Sequence, residues 1–106
     1  MSRQNEFHQG HIQSWLENGG DEMVGAFKHP EWAAGMCAEA SESFANHLKS
    51  KGVNAEVVDM KHRSTGAPHT VVKTGDTIVD WTHRQFHKKA DIPHVVGVKQ
   101  FGKEFK

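Results

Sequence analysis

The hydrophobic period of this chain changes once, at Gly52, and that change limits the folds open to it. Before Gly52 the apolar residues recur at helical spacing; after it they alternate in short β-rich runs. Helices followed by short strands, with no helix of crossover length between the strands, predict an α+β fold built on an antiparallel meander. Parallel strands would need such crossovers. The 106 residues form one domain, 1–106, with N-terminal helices and lead-in over 1–34 and a core over 35–106.

The spacing of Phe7 or His8, His11 or Ile12, and Trp15 with Leu16 predicts a helix over residues 4–18, ended by Gly19-Gly20. Asp21 caps a second helix through Met23, Val24 and Phe27, which must stop near His29 because the residue before Pro30 is pushed out of the helical region. Residues 31–35 read as a turn or a short helical piece. A long helix then opens at Gly35 and runs to about Lys51, with Met36, Cys37, Ala40, Phe44 and Leu48 on its apolar stripe and Gly52 as its stop. Strands are predicted over 53–60, 69–73, 77–81 and 95–101, with a polar loop over 61–68 and a turn of helix over 84–89.

Cys37 is the only cysteine. No internal disulfide can form, and a reducing, cytoplasmic setting is the expectation, inside the producing cell or inside a host or target cell. In the first turn of the predicted helix, free backbone N–H groups and the helix dipole would favour its thiolate. The hairpin supplies partners for it. With Gly75 and Asp76 as the two central turn residues, Thr74 pairs with Thr77, Val72 with Val79 and Val71 with Asp80. His69, Val71, Asp80 and Thr82 then share one face, expected to lie against the start of the Cys37 helix, while Val72, Val79 and Trp81 share the other and face the core. A three-residue turn would put His69 and Asp80 on opposite faces. Thiol, imidazole and carboxylate in this order suit nucleophilic catalysis: Cys37 attacks, His69 takes its proton and Asp80 orients the ring. Backbone N–H groups at the helix start, that of Cys37 included, are the expected oxyanion donors, since no side-chain donor stands upstream. This chemistry needs no cofactor.

Gly35-x-Cys37 opening a helix, His69-Thr70-Val71-Val72, and Ile78-Val79-Asp80-Trp81-Thr82 followed by Gln85-Phe86 together resemble the papain-like and transglutaminase-like thiol enzymes. The closest subgroup is the small papain-fold domains of bacterial toxins and effectors. The resemblance covers about residues 35–94. It implies a papain-like core, with Cys37 as nucleophile, His69 as base and acid, and Asp80 as orienter. It also implies peptide-bond hydrolysis, glutamine deamidation or acyl transfer, with a protein or peptide as substrate.

Trp32, just before Cys37, is the aromatic expected to line a substrate cleft, with the 61–68 loop as the other source of specificity. Trp15 and Trp81 are expected in the core, and Gln85 and Phe86 at the sheet edge. A non-enzymatic interaction module on a degenerate papain-like fold is the second reading. A metal-binding protein is the third: nine histidines are many for this length, and His83 and His87 stand four apart, with His8 and His11, or Asp80 and Cys37, to complete a set. Formal net charge is zero, with seven acids and three bases over 1–50 and six acids and ten bases over 51–106. The basic excess is scattered, so nucleic-acid binding is not indicated. No apolar run is long enough to span a bilayer. The oligomeric state is not readable from the sequence.

Overall fold

A computed structural model describes residues 10–27 and 29–106 of the chain. Phe7 and His8 of the first expected helix lie outside the described residues. Residues 10–15 are helical and widen into a π turn, Leu16–Gly20, which Gly19 breaks with φ 107°. A Cβ on Gly20 would lie 2.5 Å from the Trp15 indole, so this glycine is what lets the tryptophan fold back against its own backbone. Helix α1 (Asp21–Phe27) follows. His29 is extended, as a residue before proline must be, and Pro30 then starts helix α2 (Pro30–Ser50).

Here one expectation is corrected. The long helix does not open at Gly35, and residues 31–35 are not a separate piece. Proline at the first helical position is pre-organised, and the alanines behind it favour continuation. Gly35 costs only about 1 kcal/mol relative to alanine, which 21 residues of helix tolerate. Cys37 is therefore the eighth residue of α2, about two turns in, and not in its first turn. The other end is as expected. Gly52, at φ 78°, closes a C-cap in which the Lys51 and Val53 N–H groups donate to the Leu48 carbonyl at 3.0 and 2.9 Å and the Gly52 N–H donates to Lys49 at 3.0 Å.

Four strands form one antiparallel meander in the order β1-β2-β3-β4: β1 (Glu56–Lys61), β2 (Pro68–Thr74), β3 (Thr77–Asp80) and β4 (His94–Gly97). Gly75 and Asp76 are the two turn residues, with Gly75 at φ 57°, and Thr74 pairs with Thr77 and Val72 with Val79, as the sequence predicts. The last strand is shorter than expected. It ends at Gly97, and Val98–Phe101 form a short helix, α3, whose first N–H donates to the Asp76 carbonyl at 2.8 Å. After Asp80 the chain makes a single 3-10 turn, His83–Gln85, where a helical turn over 84–89 was expected.

The sheet has two covered faces. On one, Val72, Val79 and Trp81 pack with Trp15, Phe27, Ala40, Phe44 and Leu48, all buried. On the other, Val71 and Ile78 pack under Phe101 and Phe105. The helix face of the sheet is thus the Val72 face. His69 and Asp80 lie on the C-terminal face, where Phe101 and Phe105 meet the His69 ring, and not, as expected, on the face that α2 covers, although the ring still reaches Cys37 of α2. The C-terminal segment is held on that face by backbone pairing with β1: Lys61 and Lys106 exchange N–H···O bonds of 2.8 and 2.9 Å, and the Arg63 N–H donates to Glu104 at 2.8 Å. Among the described residues no helix is long and apolar enough to cross a membrane.

Phe44 is fully buried, edge-on to both Trp15 and Trp81 at centroid distances of 5.5 and 5.3 Å. Phe44→Ala is expected to cost about 3–5 kcal/mol, a large share of a stability of about 5–15 kcal/mol. Urea denaturation followed by tryptophan fluorescence would measure this.

Candidate functional site

The site forms where the β2–β3 ladder stops. The last pair is Val72 with Val79, and beyond it stand His69 and Asp80. Ser41, one turn after Cys37 on α2, donates its hydroxyl to the Thr70 carbonyl at 3.0 Å and so fixes the start of β2 against the helix. This link brings Cys37 within reach of the His69 ring. Cys37 is partly exposed, while His69 and Asp80 are buried.

The Asp80 carboxylate is fully buried and gathers three donors. His69 Nε2 and His83 Nδ1 both lie on Oδ2, at 2.7 and 2.8 Å, and the Thr82 backbone N–H donates to Oδ1 at 3.1 Å. A buried carboxylate without such donors would take up a proton. Burial does push Asp80 upward, but the hydrogen bonds from His69 and His83 and their charges outweigh it, and its pKa lies below the ordinary carboxylate value.

Asp80 occupies Nε2 of His69, which leaves Nδ1 as the nitrogen available to a thiol. Gln85 Nε2 lies 2.6 Å from that Nδ1 and 3.4 Å from Thr82 Oγ1. The imidazole is enclosed by Phe86, edge-on at 4.9 Å, and by Phe105 at 5.2 Å. Burial alone would lower the His69 pKa, yet the hydrogen bonds to Asp80 and Cys37 and their charges raise it to about 9. The Cys37 thiol shifts the opposite way. Hydrogen bonding to His69 lowers its pKa most, burial opposes, and the Thr70 backbone and the His69 charge add to the lowering. The two shifts together favour a thiolate–imidazolium pair over a neutral thiol and imidazole.

Cys37, His69 and Asp80 are thus brought together. Trp32 is 60% exposed, with its ring 5.3 Å from that of His29. Five residues along a helix is a rotation of about 140°, so Trp32 does not share the Cys37 face. The expected backbone oxyanion donor is also corrected: eight residues into α2, the Cys37 N–H belongs to the intrahelical ladder. Two neighbours were not part of the expected thiol site, although the metal reading set His83 with Asp80 and Cys37. Gln85, assigned to the sheet edge, touches His69, and His83 shares the Asp80 oxygen. The 3-10 turn directly after Asp80 aims both inward. Only the closeness of Thr82, His83 and Gln85 to Asp80 in sequence hinted at this.

A second cluster adjoins the first. His87 Nε2 lies 2.7 and 2.9 Å from the two Glu104 carboxylate oxygens, and His62 Nε2 lies 2.8 Å from Oε2. His83 and His87 have ring centroids 4.8 Å apart, and His94 stacks flat on His83 at 4.0 Å. Of the metal set considered from sequence, His8 lies outside the described residues. No protein family, curated protein or solved structure matches the chain significantly.

Asp80→Asn would remove the charge that both imidazoles face and is expected to cost about 2–4 kcal/mol. Because the carboxyl is held below its ordinary pKa, its contribution is complete above about pH 4 and is lost as pH falls toward the folded value. Stability measured against pH should fall on that acid limb in the wild-type chain and be flatter there in the variant.

Proposed function

We propose that this chain is a thiol-dependent hydrolase or acyltransferase that acts on an amide carbonyl. Cys37 is the nucleophile, His69 the general base and acid, and Asp80 the residue that orients His69. The observation that carries the reading is a buried imidazole held by a buried carboxylate at 2.7 Å and near enough to the one cysteine to lower its pKa. The reading also takes the helix-on-meander architecture for a papain-like core, as the resemblance over 35–94 implies.

The chemistry follows from the geometry. The thiolate attacks the carbonyl carbon, and its proton rests on His69 Nδ1. Asp80 holds Nε2–H and balances the imidazolium. His69 then protonates the leaving amine, and water or an acceptor amine, deprotonated by His69, resolves the thioester. Gln85 supplies the side-chain oxyanion donor that the helix does not. Its amide N–H can donate to Nδ1 only while that nitrogen carries a lone pair; once Nδ1 is protonated, the N–H is released toward a developing oxyanion. The substrate is a protein or peptide amide, met by the 61–68 loop.

The test is the rate of Cys37 alkylation by iodoacetamide against pH, read by intact mass. The expected apparent pKa lies below the ordinary thiol value, and His69→Ala should raise it to or above that value, because burial remains. An ordinary thiol titration in the wild-type chain would reject the reading. Gln85→Ala should slow turnover of an acyl ester by about 10²–10³-fold, as loss of an oxyanion donor does, while alkylation keeps its low apparent pKa.

One observation favours the second reading, an interaction module on a degenerate papain-like fold: Cys37 lacks the free N–H groups of a helix start. That reading expects Cys37→Ala to leave the biological effect intact.

A further inference from the structure

We propose that a divalent metal ion of zinc's class binds in the cleft beside the His83–Gln85 turn, held by His83, His87 and Glu104. The cleft is shallow and open to solvent, with a volume of about 510 Å³, and is also lined by His94 and Asp91. It is separate from Cys37, although its innermost wall is His83.

The ligand atoms of His83, His87 and Glu104 all lie within 4.8 Å of one another. Ligands at about 2.0–2.1 Å around a tetrahedral ion stand about 3.3 Å apart, so small side-chain movements close the set. The two imidazoles are borderline donors that favour zinc over magnesium or calcium, and a single carboxylate completes a set that zinc accepts. Three protein ligands at an open cleft leave a fourth position for water.

An independent feature prepares His83. Its Nδ1 lies 2.8 Å from Asp80 Oδ2, and an ionised carboxylate can only accept. The proton of the neutral ring is therefore fixed on Nδ1, and Nε2 is left with its lone pair. A carboxylate behind an imidazole in this way fixes the tautomer, aims the ring and strengthens the outer nitrogen as a ligand. His94, stacked on His83 at 4.0 Å with 9° between the rings, further restricts its rotation. Glu104 is held by the His62 bond, and His87 already meets both of its oxygens. A metal would replace the proton shared between His87 and Glu104.

The site shares the Asp80 carboxylate with the proposed triad but does not need the thiol, and its test does not use activity. Zinc is titrated by calorimetry into the full chain carrying Cys37→Ala, so that the thiol cannot contribute. The expected result is one zinc per chain, with His87→Ala plus Glu104→Gln in the same background weakening it at least about 100-fold. Both residues are partly exposed or exposed, and a thermal melt confirms that this variant folds. In the wild-type chain, cobalt(II) should give the visible spectrum of a nitrogen–oxygen site without a thiolate charge-transfer band. No zinc binding, equal binding in the double variant, or a thiolate band would each overturn the proposal.

Discussion

Everything at this site depends on one buried carboxylate. Asp80 has no exposed surface, so its charge survives only because three N–H groups converge on it. Those donors come from different parts of the chain: His69 from β2, Thr82 from the residue that follows Trp81, and His83 from the 3-10 turn. The charge therefore organises the local backbone as well as the chemistry. It fixes which His69 nitrogen faces the thiol, and it makes the turn after β3 fold inward.

The two faces of the sheet divide the work. The α2 face carries the large aromatic core of Trp15, Phe27, Phe44 and Trp81. The other face is smaller and more polar, and its aromatic residues Phe101 and Phe105 wall in His69. Ser41 and Cys37 reach from the helix layer toward the polar residues, Ser41 through the Thr70 carbonyl. The helix thus contributes one reactive atom to a site otherwise assembled from the hairpin and the segment after it.

The hairpin was the most legible part of the sequence. Strand alternation has a period of two, and a glycine followed by aspartate between two threonines fixes the turn, so the facing of His69 and Asp80 could be worked out residue by residue. The helix start was not legible, because Pro30 can end one helix or begin another and the sequence alone does not say which. Gly35 looked like an opening only because Cys37 followed it. Val98 to Phe101 continued an apolar pattern that fits a strand, but pairing ran out at Gly97 and the segment coiled instead. Gln85 and His83 were misplaced or unplaced because their aim depends on a tight turn whose geometry is set by Asp80 itself. Which face of the sheet met the helix also lay beyond pattern, since both faces carry enough apolar surface to be covered.

The separation of the three residues along the chain has a kinetic meaning. His69 and Asp80 are eleven residues apart and joined by a two-residue turn, so they meet as soon as the hairpin closes, an event of about 1–10 μs. Cys37 lies 32 residues before His69 and meets it only when α2 docks on the sheet. Imidazole and carboxylate belong to one local unit, and the thiol belongs to another. A fluctuation that lifts the helix leaves the base paired with its acid but without a nucleophile, so reactivity reports on helix docking rather than on the integrity of the sheet.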